Sequence, residues 1–255
     1  MELDVVKQRT QRLLRKVGFD ITRLTQGDGL SERDQATVRA VQEYTMTSPE
    51  RIAAVCDAVR YLVRNKIEGD IVECGVWRGG SMMAIARTLL EEGDTARDLY
   101  LYDTYTGMTE PTEFDADGHG RSAAKGMRRF GRDDAGNSNW CNASLEDVTA
   151  NIARTRYPQE RCHFVVGPVE ETIPDTLPGP IALLRLDTDW YESTKHELEH
   201  LFPLAVPRGV LILDDYGHWQ GARRAVDEYF AGLDYVPLLN RIDYTGRIAV
   251  LAQSD

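Results

Sequence analysis

Several features are scarce in this sequence, and each scarcity argues against a class of protein. Its 255 residues include four cysteines without C-x-x-C spacing, which indicates a reduced, cytoplasmic protein. No run approaches ~18 consecutive apolar residues, and the N-terminus lacks a signal-peptide core, so we expect neither secretion nor a membrane partner. Lys and Arg number 30 against 41 Asp and Glu, a net charge of −11 without a long basic block, which argues against nucleic acid as a partner.

The length and the 42% hydrophobic content predict one substantial α/β domain with a small extension. Residues 1–66 have helical periodicity throughout and form the predicted N-terminal extension. Within it, Ser48-Pro49 begins a helix, and Gln26-Gly27-Asp28-Gly29 separates an arm, residues 1–30, from the rest. Residues 67–255 form the predicted main domain.

Short apolar runs alternate with helical stretches from Asp70 onward, which predicts a doubly wound, mostly parallel sheet. The predicted strands are 70–74, 99–102, 162–166, 181–186, 209–213, 235–239 and 247–251; the predicted helices are 80–92, 144–156, 191–202 and 220–230. The last two strands are too close for a crossover helix, so the final strand is predicted to be antiparallel. Residues 105–141 are rich in glycine and charge and follow a strand end, which predicts a lid; an ordinary disordered surface insertion is the alternative.

The first motif is a strand that ends in a glycine-rich turn, Glu73-Cys74-Gly75-Val76-Trp77-Arg78-Gly79-Gly80. Such a turn lets backbone approach a nucleotide-like ligand. It lacks the G-x-G-x-x-G spacing of dinucleotide sites, which argues against a nicotinamide oxidoreductase. Glu73 and Asp103 end successive strands, with one carboxylate for the amino acid part of a ligand and one for ribose hydroxyls. This arrangement suits S-adenosylmethionine. The alternatives are hydrogen bonds to local backbone amides for Glu73 and a helix or turn cap for Asp103.

The second motif is an apolar strand followed by Asp214 and Asp215. Adjacent carboxylates are costly unless a cation or protons offset their charge. Asp187 ends another predicted strand, so three acidic groups are expected to converge at one sheet edge. A solvated turn is the alternative for the pair, and a non-catalytic binding module is the corresponding alternative for the whole protein.

Four segments together resemble the macrocin O-methyltransferase family, bacterial enzymes that methylate sugar hydroxyls, many of them in actinobacterial antibiotic pathways. These segments are Asp70–Gly80, Tyr102–Gly107, Leu184–Tyr191 and Asp214–Tyr216. The resemblance covers about residues 48–230. It implies a Rossmann-like class I methyltransferase fold with seven strands, the last antiparallel, and dependence on S-adenosylmethionine and Mg²⁺.

The resemblance also implies roles for individual residues. Asp187, Asp214 and Asp215 would bind Mg²⁺, and Asp187 would also act as general base; His218 is the rival base because an imidazole titrates near neutral pH. Ser144 has two interpretations, helix N-cap or cofactor contact. The residues assigned to the cofactor are Glu73, Gly75, Trp77, Gly79, Ser81, Asp103, Ser144, Gly167 and Glu170.

The expected partner is a small-molecule sugar or glycoside acceptor, and the apolar face within residues 1–25 predicts a homodimer. A catechol-type O-methyltransferase is the alternative function, because it shares the fold and a carboxylate magnesium site.

Overall fold

The computed structural model describes residues 29–252, so the predicted arm lies almost wholly outside the described residues. The helices are α1 (Glu32–Val41), α2 (Pro49–Arg64), α3 (Gly80–Glu92), α4 (Ala123–Phe130), α5 (Leu145–Ala153), α6 (Val169–Thr172), α7 (Tyr191–His200) and α8 (Gln220–Ala231). The strands are β1 (Asp70–Cys74), β2 (Leu99–Asp103), β3 (Cys162–Val166), β4 (Ile181–Leu186), β5 (Ala205–Leu213), β6 (Asn240–Arg241) and β7 (Arg247–Val250). None of these helices combines the length and apolar character needed to span a bilayer.

The seven strands form one sheet in the order β3-β2-β1-β4-β5-β7-β6. The five strands from β3 to β5 are parallel, whereas β7 is antiparallel to both β5 and β6. This arrangement confirms the predicted doubly wound sheet and its antiparallel last strand. The predicted strand at 235–239 is wrong, because the strand before β7 is Asn240–Arg241. Pro237 lies inside the predicted run, and proline has no N–H to donate to a neighbouring strand.

Helix α2, which precedes the sheet in the chain, packs into the main hydrophobic core. Its apolar face, predicted from helical spacing, is buried against the sheet: Ile52, Val55, Cys56, Val59 and Leu62. Ser48 caps the helix by accepting a hydrogen bond from the N–H of Arg51. The chain is not helical from Thr45 to Ser48, so the helical region before the sheet is interrupted just before Pro49, where the sequence predicts that a new helix begins. The capped start explains the break, since the N-cap residue has extended backbone.

The region between β2 and α5 contains the short helix α4, which the sequence did not predict. Residues of this region form a small hydrophobic cluster with aromatic side chains from other loops: Met108, Ala123, Trp140, Trp190, Trp219 and Ala222. Asp115 is buried and accepts a hydrogen bond from the N–H of Tyr191 at 2.8 Å. The region therefore packs against residues that follow β4 and β5, although its own composition is mostly polar.

Candidate active site

The carboxyl ends of the parallel strands meet at one edge of the sheet and line a cavity of about 350 Å³. Residues after β1, β2, β3, β4 and β5 all contribute to its wall. Open parallel sheets bind ligands at this edge. The topology therefore brings the first and second sequence motifs into one cavity, although more than 100 residues separate them in the chain.

The glycine-rich turn after β1 depends on glycine at position 75. Gly75 has φ +79°, and a Cβ there would lie 2.1 Å from the carbonyl oxygen of Asp187. Any side chain would therefore push the turn after β1 away from Asp187, the residue that follows β4. Trp77 and Ser81, two of the predicted cofactor residues, line the cavity beyond this turn.

Glu73 is 1% exposed and forms a salt bridge with Arg185, its neighbour across the β1–β4 pairing. Its second oxygen, Oε2, has no hydrogen-bond partner within residues 29–252. Burial raises the pKa of Glu73 to about 7, although Arg185 lowers it. The cavity thus contains a buried acceptor that a ligand cation could pair with.

Asp103 holds the glycine-rich turn in place through its side chain. Oδ2 accepts hydrogen bonds from the N–H groups of Val76 at 2.8 Å and Trp77 at 3.0 Å, while Oδ1 accepts one from Tyr105. Burial raises the pKa of Asp103, although these backbone hydrogen bonds oppose the shift. Each carboxylate oxygen has two acceptor sites, so Oδ2 is filled. Oδ1 keeps one site for a hydroxyl donor from the cavity, because the Thr104 hydroxyl, 3.4 Å away, donates to the carbonyl oxygen of Gly107 at 2.6 Å instead.

Asp187, Asp214 and Asp215 come together as the sequence predicted. One oxygen from each lies within 4.8 Å of the others. Burial raises the pKa values of Asp187 and Asp215 well above their usual range, and the neighbouring carboxylates raise them further. A compact group of oxygens with uncompensated charge is suited to a small divalent cation.

Asp189 is a fourth acidic residue of this cluster, one that was not predicted from the sequence. It lines the same cavity, and its backbone has φ +69°, the left-handed region that ordinary residues rarely adopt. Burial raises its pKa to about 7, with Asp187 and Asp214 also raising it and a hydrogen bond with Asp215 lowering it. Its position two residues after Asp187 was the available signal.

Two arginines neutralise part of this charge, and neither was predicted from the sequence to be a site residue. Arg185 is 1% exposed and contacts Asp187 at 2.8 Å and Asp214 at 2.6 Å, in addition to Glu73. Arg51, from α2, contacts the other oxygen of Asp214. Arg185 had a sequence signal, because a lone charge inside the apolar run Ile181–Leu186 requires a buried partner. Arg51 is one of several arginines on a helix and had none.

His218 lines the cavity beside Trp219, with their ring centroids 4.8 Å apart. Its Nδ1 lies 3.5 Å from the hydroxyl of Tyr244. Burial lowers the pKa of His218, so the imidazole is mostly neutral at pH 7 and can accept a proton.

The remaining predicted cofactor residues divide into two groups. Gly167 and Glu170 line the cavity after β3. Gly79 and Ser144 are absent from its lining: Gly79 is the N-cap of α3, and Ser144 caps α5 by accepting a hydrogen bond from the N–H of Asp147. Ser144 therefore has the capping role that was the first of its two interpretations.

A seven-stranded sheet with an acidic cluster and a glycine-rich turn at one edge defines the class of α/β O-methyltransferases. The chain belongs to the macrocin O-methyltransferase family, since residues 5–249 match Macrocin-O-methyltransferase (TylF). It is an O-methyltransferase, and the resemblance predicted from the four segments is confirmed.

Individual relatives agree with this assignment. A curated enzyme of Streptomyces olivaceus, 8-demethyl-8-(2,3-dimethoxy-alpha-L-rhamnosyl)-tetracenomycin-C 4'-O-methyltransferase, is 34% identical over 80% of this chain and 74% of its own length. Demethyldecarbamoylnovobiocin O-methyltransferase of Streptomyces niveus is 30% identical over the same shares. The solved structure of the O-methyltransferase NovP superposes with a TM-score of 0.71 at 28% identity, covering 88% of this chain and 90% of NovP.

Proposed function

We propose that this protein transfers a methyl group from S-adenosylmethionine to a hydroxyl of a sugar, with Mg²⁺ at the acidic cluster. The observation that carries the proposal is the convergence of Asp187, Asp214 and Asp215 with the Gly75 turn in one cavity. The tetracenomycin relative is named for methylation of a rhamnosyl compound, which supports a sugar as the acceptor.

The cavity fits S-adenosylmethionine by charge. This ligand has a sulfonium and an ammonium group, and seven acidic residues but only two arginines line the cavity. Both arginines are already paired with carboxylates. We assign the unpartnered Oε2 of Glu73 to the ammonium group and Asp103 to the ribose hydroxyls. Gly75, Trp77, Ser81, Gly167 and Glu170 would complete this half of the cavity.

The acidic cluster fits Mg²⁺ by donor type, because this ion prefers hard oxygen ligands and keeps positions open for water or substrate. Bound there, Mg²⁺ would stabilise the negative charge that develops on an acceptor hydroxyl as its proton leaves. Asp187, Asp214 and Asp215 would hold the ion, and Arg185 orients two of these ligands.

Three side chains are candidates for the general base. We propose Asp187 first, because it directly follows β4, belongs to the acidic cluster and lines the cavity. Its contact with Arg185 weakens it as a base, so His218 and Asp189 are rivals that line the same cavity. Methyl transfer itself is an in-line displacement at the sulfonium carbon and requires no covalent bond to the protein, so positioning supplies much of the rate.

A panel of acceptors tests the proposal. Purified protein with labelled S-adenosylmethionine and Mg²⁺ is offered rhamnosides and other glycosides, free sugars, and catechols, and the labelled product is identified by mass spectrometry and NMR. We expect label on a sugar hydroxyl. Label only on catechols would favour the catechol-type alternative. Failure of the folded protein to bind S-adenosylmethionine or its demethylated product would contradict methyl transfer altogether.

We also propose that the protein is a cytoplasmic homodimer. Its four cysteines are unpaired, which fits a reducing compartment. The dimer rests on the apolar face predicted for residues 1–25, which is otherwise difficult to bury in a small extension. Light scattering of the full chain and of a chain that starts at residue 26 tests this proposal. If the two proteins contain the same number of subunits, the arm has no role in assembly.

A further inference from the structure

Asp214 differs from the other two candidate metal ligands because guanidinium groups contact both of its oxygens. Arg185 donates to Oδ1 at 2.6 Å, and Arg51 contacts Oδ2. The hydroxyl of Thr47 also donates to Oδ2, at 3.2 Å. A cation that binds Asp214 therefore shares this carboxylate with two positive charges.

Arg51 is held in its position by a separate part of the chain. Its Nε donates to Oδ2 of Asp243 at 3.0 Å, in the turn between β6 and β7. Oδ1 of Asp243 accepts hydrogen bonds from the N–H groups of Thr245 and Gly246, so one side chain both stabilises the turn and holds Arg51. Gly246 packs on the aliphatic part of Arg51, because a Cβ there would lie 2.9 Å from its Cδ.

Arg185 and Arg51 have different structural roles. Arg185 lies in the central strand β4, is fully buried and also holds Glu73, so it belongs to the framework of both halves of the cavity. Arg51 is 14% exposed, comes from a helix outside the sheet, and contacts only Asp214 among the three candidate metal ligands. Arg51 therefore places a positive charge at the cation site but, unlike Arg185, does not link Asp214 to another candidate ligand.

We propose that Arg51, held by Asp243, is a positioning residue that weakens divalent cation binding at the acidic cluster by neutralising one oxygen of Asp214. The inference rests on the proposed metal site. A positive charge in contact with a ligand opposes a second cation there, because the two charges repel at short range in a partly buried site.

Binding of Mn²⁺, measured by electron paramagnetic resonance in the presence of S-adenosylhomocysteine, tests this inference without requiring turnover. Arg51→Gln and Arg51→Met remove the charge, and the Met variant preserves aliphatic packing on Gly246. Arg51→Lys keeps the charge but cannot contact Asp214 and Asp243 in the same way. Arg64→Gln is the matched control, because it removes the same charge at the far end of α2, where Arg64 pairs with Glu92. Circular dichroism checks that each variant is folded.

We expect both neutral variants to bind Mn²⁺ at least about tenfold more tightly than the wild type, and the Lys and Arg64→Gln variants to stay within about threefold of it. Unchanged or weaker binding in the neutral variants would overturn the inference, as would equal tightening in the Lys variant. If neither the wild type nor any variant shows saturable Mn²⁺ binding, the metal site itself is contradicted. If all of them bind Mn²⁺ equally, the metal site stands and only the role of Arg51 is overturned.

Discussion

The two halves of the cavity are built by different means. On the cofactor side, backbone geometry decides the shape: Gly75 allows close approach of two strands, and Asp103 fixes the turn by accepting backbone N–H groups. On the acidic side, charged side chains decide it: Asp187 and Asp214 are held by arginine, and Asp215 lies beside Asp189. The first half takes its shape from the backbone, whereas the second brings together carboxyl groups that two arginines offset only in part, so protons or a cation must offset the rest. The difference indicates that cofactor binding and cation binding can be separated by mutation.

The largest effect is expected on the acidic side. Asp187→Asn, Asp214→Asn and Asp215→Asn should each lower kcat by about 10²–10⁴, because each removes a cation ligand and Asp187 also removes the proposed base. Their affinity for S-adenosylhomocysteine, measured by calorimetry, should remain close to that of the wild type.

Asp189→Asn and His218→Ala are the comparison variants for the base. We expect smaller losses in both than in Asp187→Asn. If Asp187→Asn is fully active and His218→Ala is inactive, His218 is the base. If Asp187→Asn is fully active and Asp189→Asn is inactive, Asp189 is the base.

Arg185 joins the two halves, so its removal should damage both. Arg185→Met leaves Glu73 and Asp214 buried without that partner, which should lower the free energy of unfolding by about 3–5 kcal/mol. Urea denaturation measures the loss. Arg64→Met, at an exposed salt bridge, is the control and should cost less than about 1 kcal/mol. Equal effects of the two substitutions would show that Arg185 does not hold the site together.

Glu73→Gln tests the cofactor side alone. It should weaken S-adenosylhomocysteine binding by about tenfold, or about 1.4 kcal/mol, because a neutral amide cannot pair with the ammonium group as a carboxylate does. Mn²⁺ binding should change less. Unaltered cofactor affinity would place the ammonium group elsewhere.

The same variant has a pH signature. Burial raises the pKa of Glu73 in the folded protein to about 7 from an ordinary 4.5, so the native state binds more protons than the unfolded state between these values. The stability that Glu73 contributes is present below pH 4.5 and is lost as pH rises toward 7. Without ligand, the wild type should therefore lose more stability than Glu73→Gln across this window, by at most about 1.4 kcal/mol per pH unit. Parallel stability curves for the two proteins would contradict the shift.

The smallest effect is expected in the predicted lid. Residues 118–139, the part of the predicted lid 105–141 that follows Asp117, should exchange amide hydrogens faster without ligand and become protected when S-adenosylhomocysteine and an acceptor are bound. Residues 112–117 should be protected in both states, because Asp115 anchors them to Tyr191. If exchange in 118–139 is the same with and without ligands, this segment is not a lid.

The sequence predicted what depends on local pattern. Strand periodicity located the ends of β1, β2, β4 and β5, and the acidic residues there converge because parallel strands end at one edge. Arg51 could not be predicted, since it meets Asp214 across 163 positions of sequence. Helix α4 was missed because its burial depends on Trp140, Trp190 and Trp219, which come together only in the folded protein. The false strand at 235–239 had the right apolar residues but contained Pro237.

Dependence of methyl transfer on Mg²⁺ tests the central claim most directly. The purified protein is treated with EDTA, freed of chelator, and assayed with labelled S-adenosylmethionine and a glycoside acceptor while Mg²⁺ is added back. We predict negligible transfer at first and a saturable recovery with Mg²⁺ that Asp214→Asn lacks. An undiminished rate in EDTA would contradict the claim that Asp187, Asp214 and Asp215 act through a bound cation.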